Sequence, residues 1–474
     1  MTSSRLAPWA LSLALTAAAR VAAAQSSGTL TPPPLALDPV VVTASRTAQT
    51  IDAALPDTQV ITRSDIDRSG AGDIAELLRM LSAVDVSQSG GPGKLTSLFI
   101  RGGDSRHTLV LLDGVPLNKA DFGAASIEHL PLDQIDRIEI VRGNLSSLYG
   151  SQAMGGVVQI FTRQGAGTSA TLTAGSRATA AASAHLGRQI GDTRLALTLA
   201  HQQTDGVSAQ NPATYPGADP DRDGYRNDSA ALDLTHTLAA GHRVGLQLLG
   251  VYARNPYDNA FATSPHPVST HHLDTWALSS RDQINEMWLS ELRVSSLHER
   301  FDDPSAYTTA GVNRTTQASW SNTLALTRGQ SVQLGLETQR SSFDDTPSSG
   351  YTPRDTHSLR LGYVGEQQAF DWQLDARYDR TSDVGTATTG YAGVGYKLDA
   401  RWKLIASAST SFAAPTFIDL LYADPTAPRL RPERGRSVEL GVQFSTPQLR
   451  ARVTVFDARI RDKVDFDPVT FYSS

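Results

Sequence analysis

The 474-residue sequence contains no cysteine. That excludes a disulfide scaffold, a thiolate nucleophile and a cysteine-bound zinc site. Aromatic residues make up only 7% of it. Charge is nearly balanced, with 42 Lys and Arg against 48 Asp and Glu and a net charge of −6, so no basic excess marks the chain for nucleic acid. Mean hydropathy is −0.24. Beyond the N-terminus no apolar run approaches the ~20 residues of a membrane-spanning helix. A large chain without these supports must draw its stability from an extensive hydrogen-bonded architecture.

What is present begins with an apolar stretch from Trp9 to Ala24, preceded by Arg5 and closed by Ala22, Ala23 and Ala24. This predicts a secretory signal peptide over residues 1–24, with the mature chain starting near Gln25. Residues 25–51 read as a flexible leader, because QSSGTLTPPP favours an extended, solvated backbone. Within it, LALDPVVVTASR carries the β-prone run Val40, Val41, Val42 and Thr43 with no local partner for its backbone. Two readings stay open from these residues alone: the first strand of the following domain, or a peptide that adds to the sheet edge of another protein.

From residue 52 to 165 the texture is mixed. Ile74, Leu77, Leu78 and Leu81 share one helix face, with Ser64 and Asp65 upstream as candidate N-caps. SLFIRGGDSRHTLVLLDGVPL then gives two apolar strands around a Gly-Gly-Asp-Ser turn, which predicts a compact α+β domain.

From 166 to 474 period-two alternation takes over. FDWQLDARY sets Phe370, Trp372, Leu374, Ala376 and Tyr378 on one face and Asp371, Gln373, Asp375 and Arg377 on the other. Short turns such as Gly191-Asp192, Ala240-Gly241, Arg328-Gly329 and Asp399-Ala400 alternate with long polar loops near 202–228, 253–275, 340–357 and 413–437. That asymmetry predicts an antiparallel transmembrane β-barrel. A secreted β-sandwich or calcium-dependent surface adhesin explains the alternation but not the two loop lengths.

One acidic segment stands out. GADPDRDGY places Asp219, Asp221 and Asp223 before Gly224, an array of hard oxygen ligands. An EF-hand needs a glutamate at loop position 12, and Ala230 stands there, so it is not one. Carboxylates this close repel one another without a cation, and the next long loop adds Asp258 and Asp274. A solvated acidic loop is the other reading. His271 and His272 read as a solvated pair. No Ser/His/Asp or paired-carboxylate constellation stands out, so an enzyme is not expected.

Several segments together resemble the TonB-dependent outer-membrane receptors. DPVVVTA is similar to the TonB box, SLFIRGGDSRHTLVLLDGVPLN and IEIVRGNLSSLYGSQAMGGVVQI to plug segments, and STSFAAPTFIDLLYADPTAPRLRPERGRSVELG to a barrel signature. In the second plug segment Asn144 stands where proline is usual. The resemblance implies an α+β plug inside an antiparallel barrel of 22 strands in the family. About three hundred residues supply roughly 14–16 of those, so the chain reads as C-terminally truncated and, alone, transport-deficient.

The resemblance also implies partners. Asp38, Pro39, Val40, Val41, Val42, Thr43 and Ala44 would pair with TonB, itself driven by ExbB and ExbD, in a monomeric receptor. Within the family, SQSGGPGKLTSLFIRGGDSRH and the acidic loops are similar to those of cobalamin receptors. By that likeness Asp219, Asp221, Asp223, Asp258 and Asp274, with Tyr257 and Asp205, would hold calcium, and Leu95, Ser97, Asp104, Phe122 and Gly123 would contact a corrinoid. Asp104 and Phe122 depart from the residues usual there, and plug core remains open for Leu95 and Phe122. Ferric siderophore and haem are the alternative cargoes; Ala413 stands where haem receptors usually carry arginine.

Overall fold

The computed structural model describes residues 40–474, apart from 209, 212, 215–220, 259–265, 305–309, 328, 347–351, 427–428, 468–471 and 474. The signal peptide, most of the leader, Asp38, Pro39 and Asp219 lie outside the described residues.

The first element is unexpected for a leader. Val40–Val41 (β1) pairs antiparallel with Gln49–Thr50 (β2), and Val41, Thr43, Ala44 and Ser45 are fully buried. The flexible leader expected over 25–51 therefore does not extend through 40–51. The β-prone valines find a partner in their own chain, eight residues on.

Asp57–Ile61 (β3), Thr108–Leu112 (β6), Val115–Pro116 (β7), Ile135–Arg142 (β8) and Gly156–Thr162 (β9) form a five-stranded sheet in the order β3-β8-β9-β6-β7. Asp85–Gln88 (β4) and Thr96–Phe99 (β5) make a separate hairpin. Two helices cover the sheet. Arg63–Ser69 (α1) is capped by Thr62, whose side chain and Asp65 form a reciprocal capping box, and Ile74–Leu81 (α2) is capped by Asp73. The caps are thus Thr62 and Asp73 rather than Ser64 and Asp65; Asp65 is the answering acid of the box. Ile74, Leu77 and Leu78 bury completely against Ile100, Ile138 and Ile160, each worth roughly 1.5–3 kcal/mol. Asn144 accepts from the Ser146 amide at 3.0 Å and so starts the short helix Ser146–Tyr149 (α3), work a proline could not do.

Around this plug the described residues form one sheet of fifteen consecutive antiparallel strands, from Gly167–Ala174 to Arg450–Arg461. This agrees with the expected number. Hydrogen bonds tie plug and sheet together along its course: plug Gln134 donates to Thr198 O, while sheet residues Arg293 and Gln443 donate to Asp113 O and the Asp52 carboxylate. Its polarity is inverted relative to a soluble protein. In Phe370–Thr381 the side chains of Asp371, Gln373, Asp375, Arg377 and Asp379 are buried toward the plug, while Leu374 and Tyr378 face outward and are exposed. No described helix is long and apolar enough to cross a membrane.

One end of the sheet carries short turns and the other long loops. The loops are shorter than the sequence indicates, because strands run on through polar residues: Gln203 pairs with Arg226 and Thr204 with Tyr225 inside the segment read as loop 202–228. Two connections at the long-loop end, 175–179 and 382–384, are also short.

Candidate functional site

At the long-loop end, Asp221, Asp223 and Asp258 bring one carboxylate oxygen each within 4.8 Å of one another. Asp223 starts the strand Asp223–Ala239, and Asp258 follows the strand His242–Pro256. Asp258 accepts from the Gln210 amide at 2.9 Å through one oxygen, while its other oxygen is buried without a hydrogen-bond partner. His266 Nδ1 lies 3.4 Å from Asp221. Three hard oxygens, one of them orphaned, are a donor set that suits a calcium ion. Tyr257 turns its hydroxyl to Asp303, so its backbone carbonyl is what it could offer.

Two expected ligands do not join the group. Asp274 lies on the outward face of Val268–Asn285, because Leu273, Thr275 and Ala277 take the inward positions on either side of it. Asp205 is exposed and sits 3.6 Å from Arg222.

The plug reaches this cluster through Lys94, which the motif search missed. Its ammonium donates to the carbonyls of Asp223 (3.2 Å) and Gly224 (3.1 Å) and to Asn255 Oδ1 (2.7 Å). Burial pulls its pKa down to about 8, against the opposing attraction of Asp223 and Asp258. The approach depends on Gly93. At φ +76° a Cβ there would meet the Tyr225 ring at 2.0 Å.

Beside Lys94, Leu95 is 61% exposed, and Phe122, in another apical loop, is 59% exposed, which rules out the plug-core reading for both. Ser97 is half-buried opposite Ser87. Asp104 accepts from the Arg106 amide at 3.3 Å, and Gly123 packs against Arg106 and Thr416. Below the loops, buried ion pairs tie plug to barrel, Arg106 to Asp419 and Glu433 (both 2.9 Å) and Arg101 to Glu439 (2.6 Å), and His107 is hydrogen-bonded to Glu433 (2.6 Å). Glu433 and Glu439 stood in the signature segment, but their partners were not legible. His271 and His272 are strand residues, not loop residues. They point to opposite faces, and His271 packs inward on His129 with ring centroids 4.4 Å apart.

At the short-turn end the N-terminal segment is tied down. The Val42 and Thr43 amides (3.0 Å each) and the Thr43 hydroxyl (2.7 Å) all donate to one oxygen of Glu139, which is fully buried. Tyr149 donates to Thr43 O, Arg46 pairs with Glu337 at 3.2 Å, and Asp52 pairs with Arg450 at 2.7 Å. Arg46–Gln49 forms one wall of a cavity of about 890 Å³ between plug and barrel.

A plug domain and an inverted-polarity antiparallel sheet around it are the parts found in one family. Residues 52–157 match the TonB-dependent Receptor Plug Domain, and residues 167–474 match the TonB dependent receptor-like beta-barrel. The chain belongs to the TonB-dependent receptors. It is 31% identical over 446 residues to the vitamin B12 transporter BtuB of Photobacterium profundum, covering 91% of this chain and 71% of that protein. Against vitamin B12 transporter BtuB of Vibrio cholerae it is 29% identical over 441 residues, covering 91% and 72%. Among solved structures, a ferric enterobactin receptor (PfeA) mutant from Pseudomonas aeruginosa superposes with a TM-score of 0.74 at 20% identity, covering 90% of this chain and 74% of that one. The siderophore receptor PirA from Acinetobacter baumannii gives 0.70 at 17% identity, covering 88% and 74%. TonB-dependent receptors are outer-membrane proteins that bind small molecules and are worked by TonB, not enzymes.

Proposed function

We propose that this TonB-dependent receptor binds cobalamin or a related corrinoid at its long-loop end and imports it. In this reading export uses residues 1–24 as a cleaved signal, and TonB, driven by ExbB and ExbD, draws on residues 38–44 to release the cargo. The observation that carries the cargo assignment is the set of relatives named vitamin B12 transporters, matched over 91% of the chain. The likeness to siderophore receptors, at 17–20% identity, speaks for the fold alone.

The apical geometry supports the same reading. Calcium held by Asp221, Asp223 and Asp258 would relieve their mutual repulsion and pin two loops beside exposed Leu95. Ordering those loops in advance lowers the conformational cost of gripping a large planar ligand. Calorimetry with cyanocobalamin tests it: binding is expected, and tighter with calcium than with chelator. Absence of any corrinoid heat under both conditions would sink the cargo assignment and leave the family untouched.

A further inference from the structure

On the outward face, strands Trp288–Asp302, Ala310–Thr327, Gln330–Thr346, Arg354–Gln367 and Phe370–Thr381 run side by side. Trp320, Leu336, Leu359 and Tyr378 are register partners in one row across the last four, and all four are exposed. The next row toward the long loops is Ala318, Thr338, His357 and Arg380. Ala318 and Thr338, smaller than Trp320 and Leu336 beneath them, lie along an open groove of about 470 Å³, predominantly apolar and bounded by Arg380 at its upper end.

The Arg380 side chain has no counter-ion among the described residues, a condition it shares with the exposed rim residues Arg254 and Arg434. On the strands flanking the groove the outward arginines carry carboxylates: Arg300 with Asp302 (2.9 Å), Arg314 with Asp344 (2.7 Å) and Arg340 with Asp355 (3.6 Å). The Arg380 guanidinium makes no ion pair or hydrogen bond with the described residues, and it is exposed. His357 beside it is engaged by Thr338 at 3.1 Å. The adjoining connection, 382–384, is only three residues long.

We propose that this groove is a docking site for a phosphate-bearing lipid of the outer leaflet, with one acyl chain along Trp320, Leu336, Leu359 and Tyr378 and the phosphate on Arg380. Long loops mark the extracellular end of outer-membrane barrels, which puts Arg380 at headgroup height. A planar guanidinium binds phosphate through two donors at once, and an unpaired one at a lipid boundary has its charge met by doing so. A zwitterionic headgroup offers the same phosphate already neutralised by its own cation. The chemistry therefore selects an anionic lipid.

Native mass spectrometry of the full chain in neutral detergent tests this with dipalmitoyl phosphatidic acid, dipalmitoyl phosphatidylcholine and inorganic phosphate as probes. Phosphatidic acid is expected to be retained about tenfold better than phosphatidylcholine, and Arg380→Ala to remove that difference. Ala318→Phe, which fills the groove, should weaken retention with Arg380 intact; Arg314→Ala should leave it unchanged. Melting followed by far-UV circular dichroism checks that each variant keeps its fold. Equal retention of both lipids, undiminished retention by Arg380→Ala, or displacement of the lipid by inorganic phosphate overturns the proposal.

Discussion

Glu139→Gln is the substitution that isolates what holds the N-terminal segment. One oxygen of Glu139 receives three hydrogen bonds from Val42 and Thr43, and its other oxygen receives Arg137 Nε at 3.1 Å. Bonds to a charged acceptor each contribute about 1.5–3 kcal/mol net, roughly twice a neutral bond. Glutamine keeps the size and removes the charge, so the three bonds together should weaken by about 2–4 kcal/mol. At about 1.4 kcal/mol per decade, release of the segment becomes about 30- to 1000-fold more frequent. The chain has no native thiol, so Ser45→Cys, at a fully buried position, reports that release directly. Maleimide labelling of Ser45→Cys should accelerate by that factor when Glu139→Gln is added. An acceleration below threefold, with the plug otherwise intact by proteolysis, would refute the idea that this carboxylate is the anchor.

Burial pushes the Glu128 carboxyl up to about 8, against the attraction of Lys119, so the fold favours its protonated form. That contribution is full below the ordinary value near 4.5 and is lost progressively as pH rises to 8; stability should fall by up to about 3 kcal/mol between pH 6 and pH 9, and Glu128→Gln should flatten the profile in the same melts. Asp258→Asn should weaken calcium binding at least tenfold by terbium luminescence, while easing carboxylate repulsion and so raising the melting temperature in chelator. Gly93→Ala should lower apical stability by several kcal/mol, since a Cβ would overlap Tyr225; protease sensitivity of the 89–95 loop measures it. Phe122→Ala should reduce cyanocobalamin affinity about tenfold in calorimetry without moving the melting temperature, because the ring is exposed.

Much of the barrel was legible because period-two alternation depends only on the residues themselves, as Phe370 to Tyr378 illustrates. The same rule could have placed Asp274: it has the parity of Trp276 and Leu278, both outward, and not that of Leu273. The folded state of residues 40–51 was not readable. A β-branched run looks the same whether it awaits a partner or pairs with Gln49 and Thr50, and what decides is Glu139, 96 residues from Thr43. Lys94 was missed for the same reason, since its partners Asp223 and Asn255 are brought to it only by the barrel. The acidic triad was partly visible because two of its members, Asp221 and Asp223, are neighbours in sequence.

The account turns on whether a segment now packed beneath the plug can be given up to a partner when cargo arrives. Val42→Cys in cells that also carry single-cysteine variants of TonB answers this, since the receptor has no other thiol. The prediction is a disulfide-linked receptor–TonB species that forms with added cyanocobalamin and is scarce without it. No linked species under either condition would contradict the account.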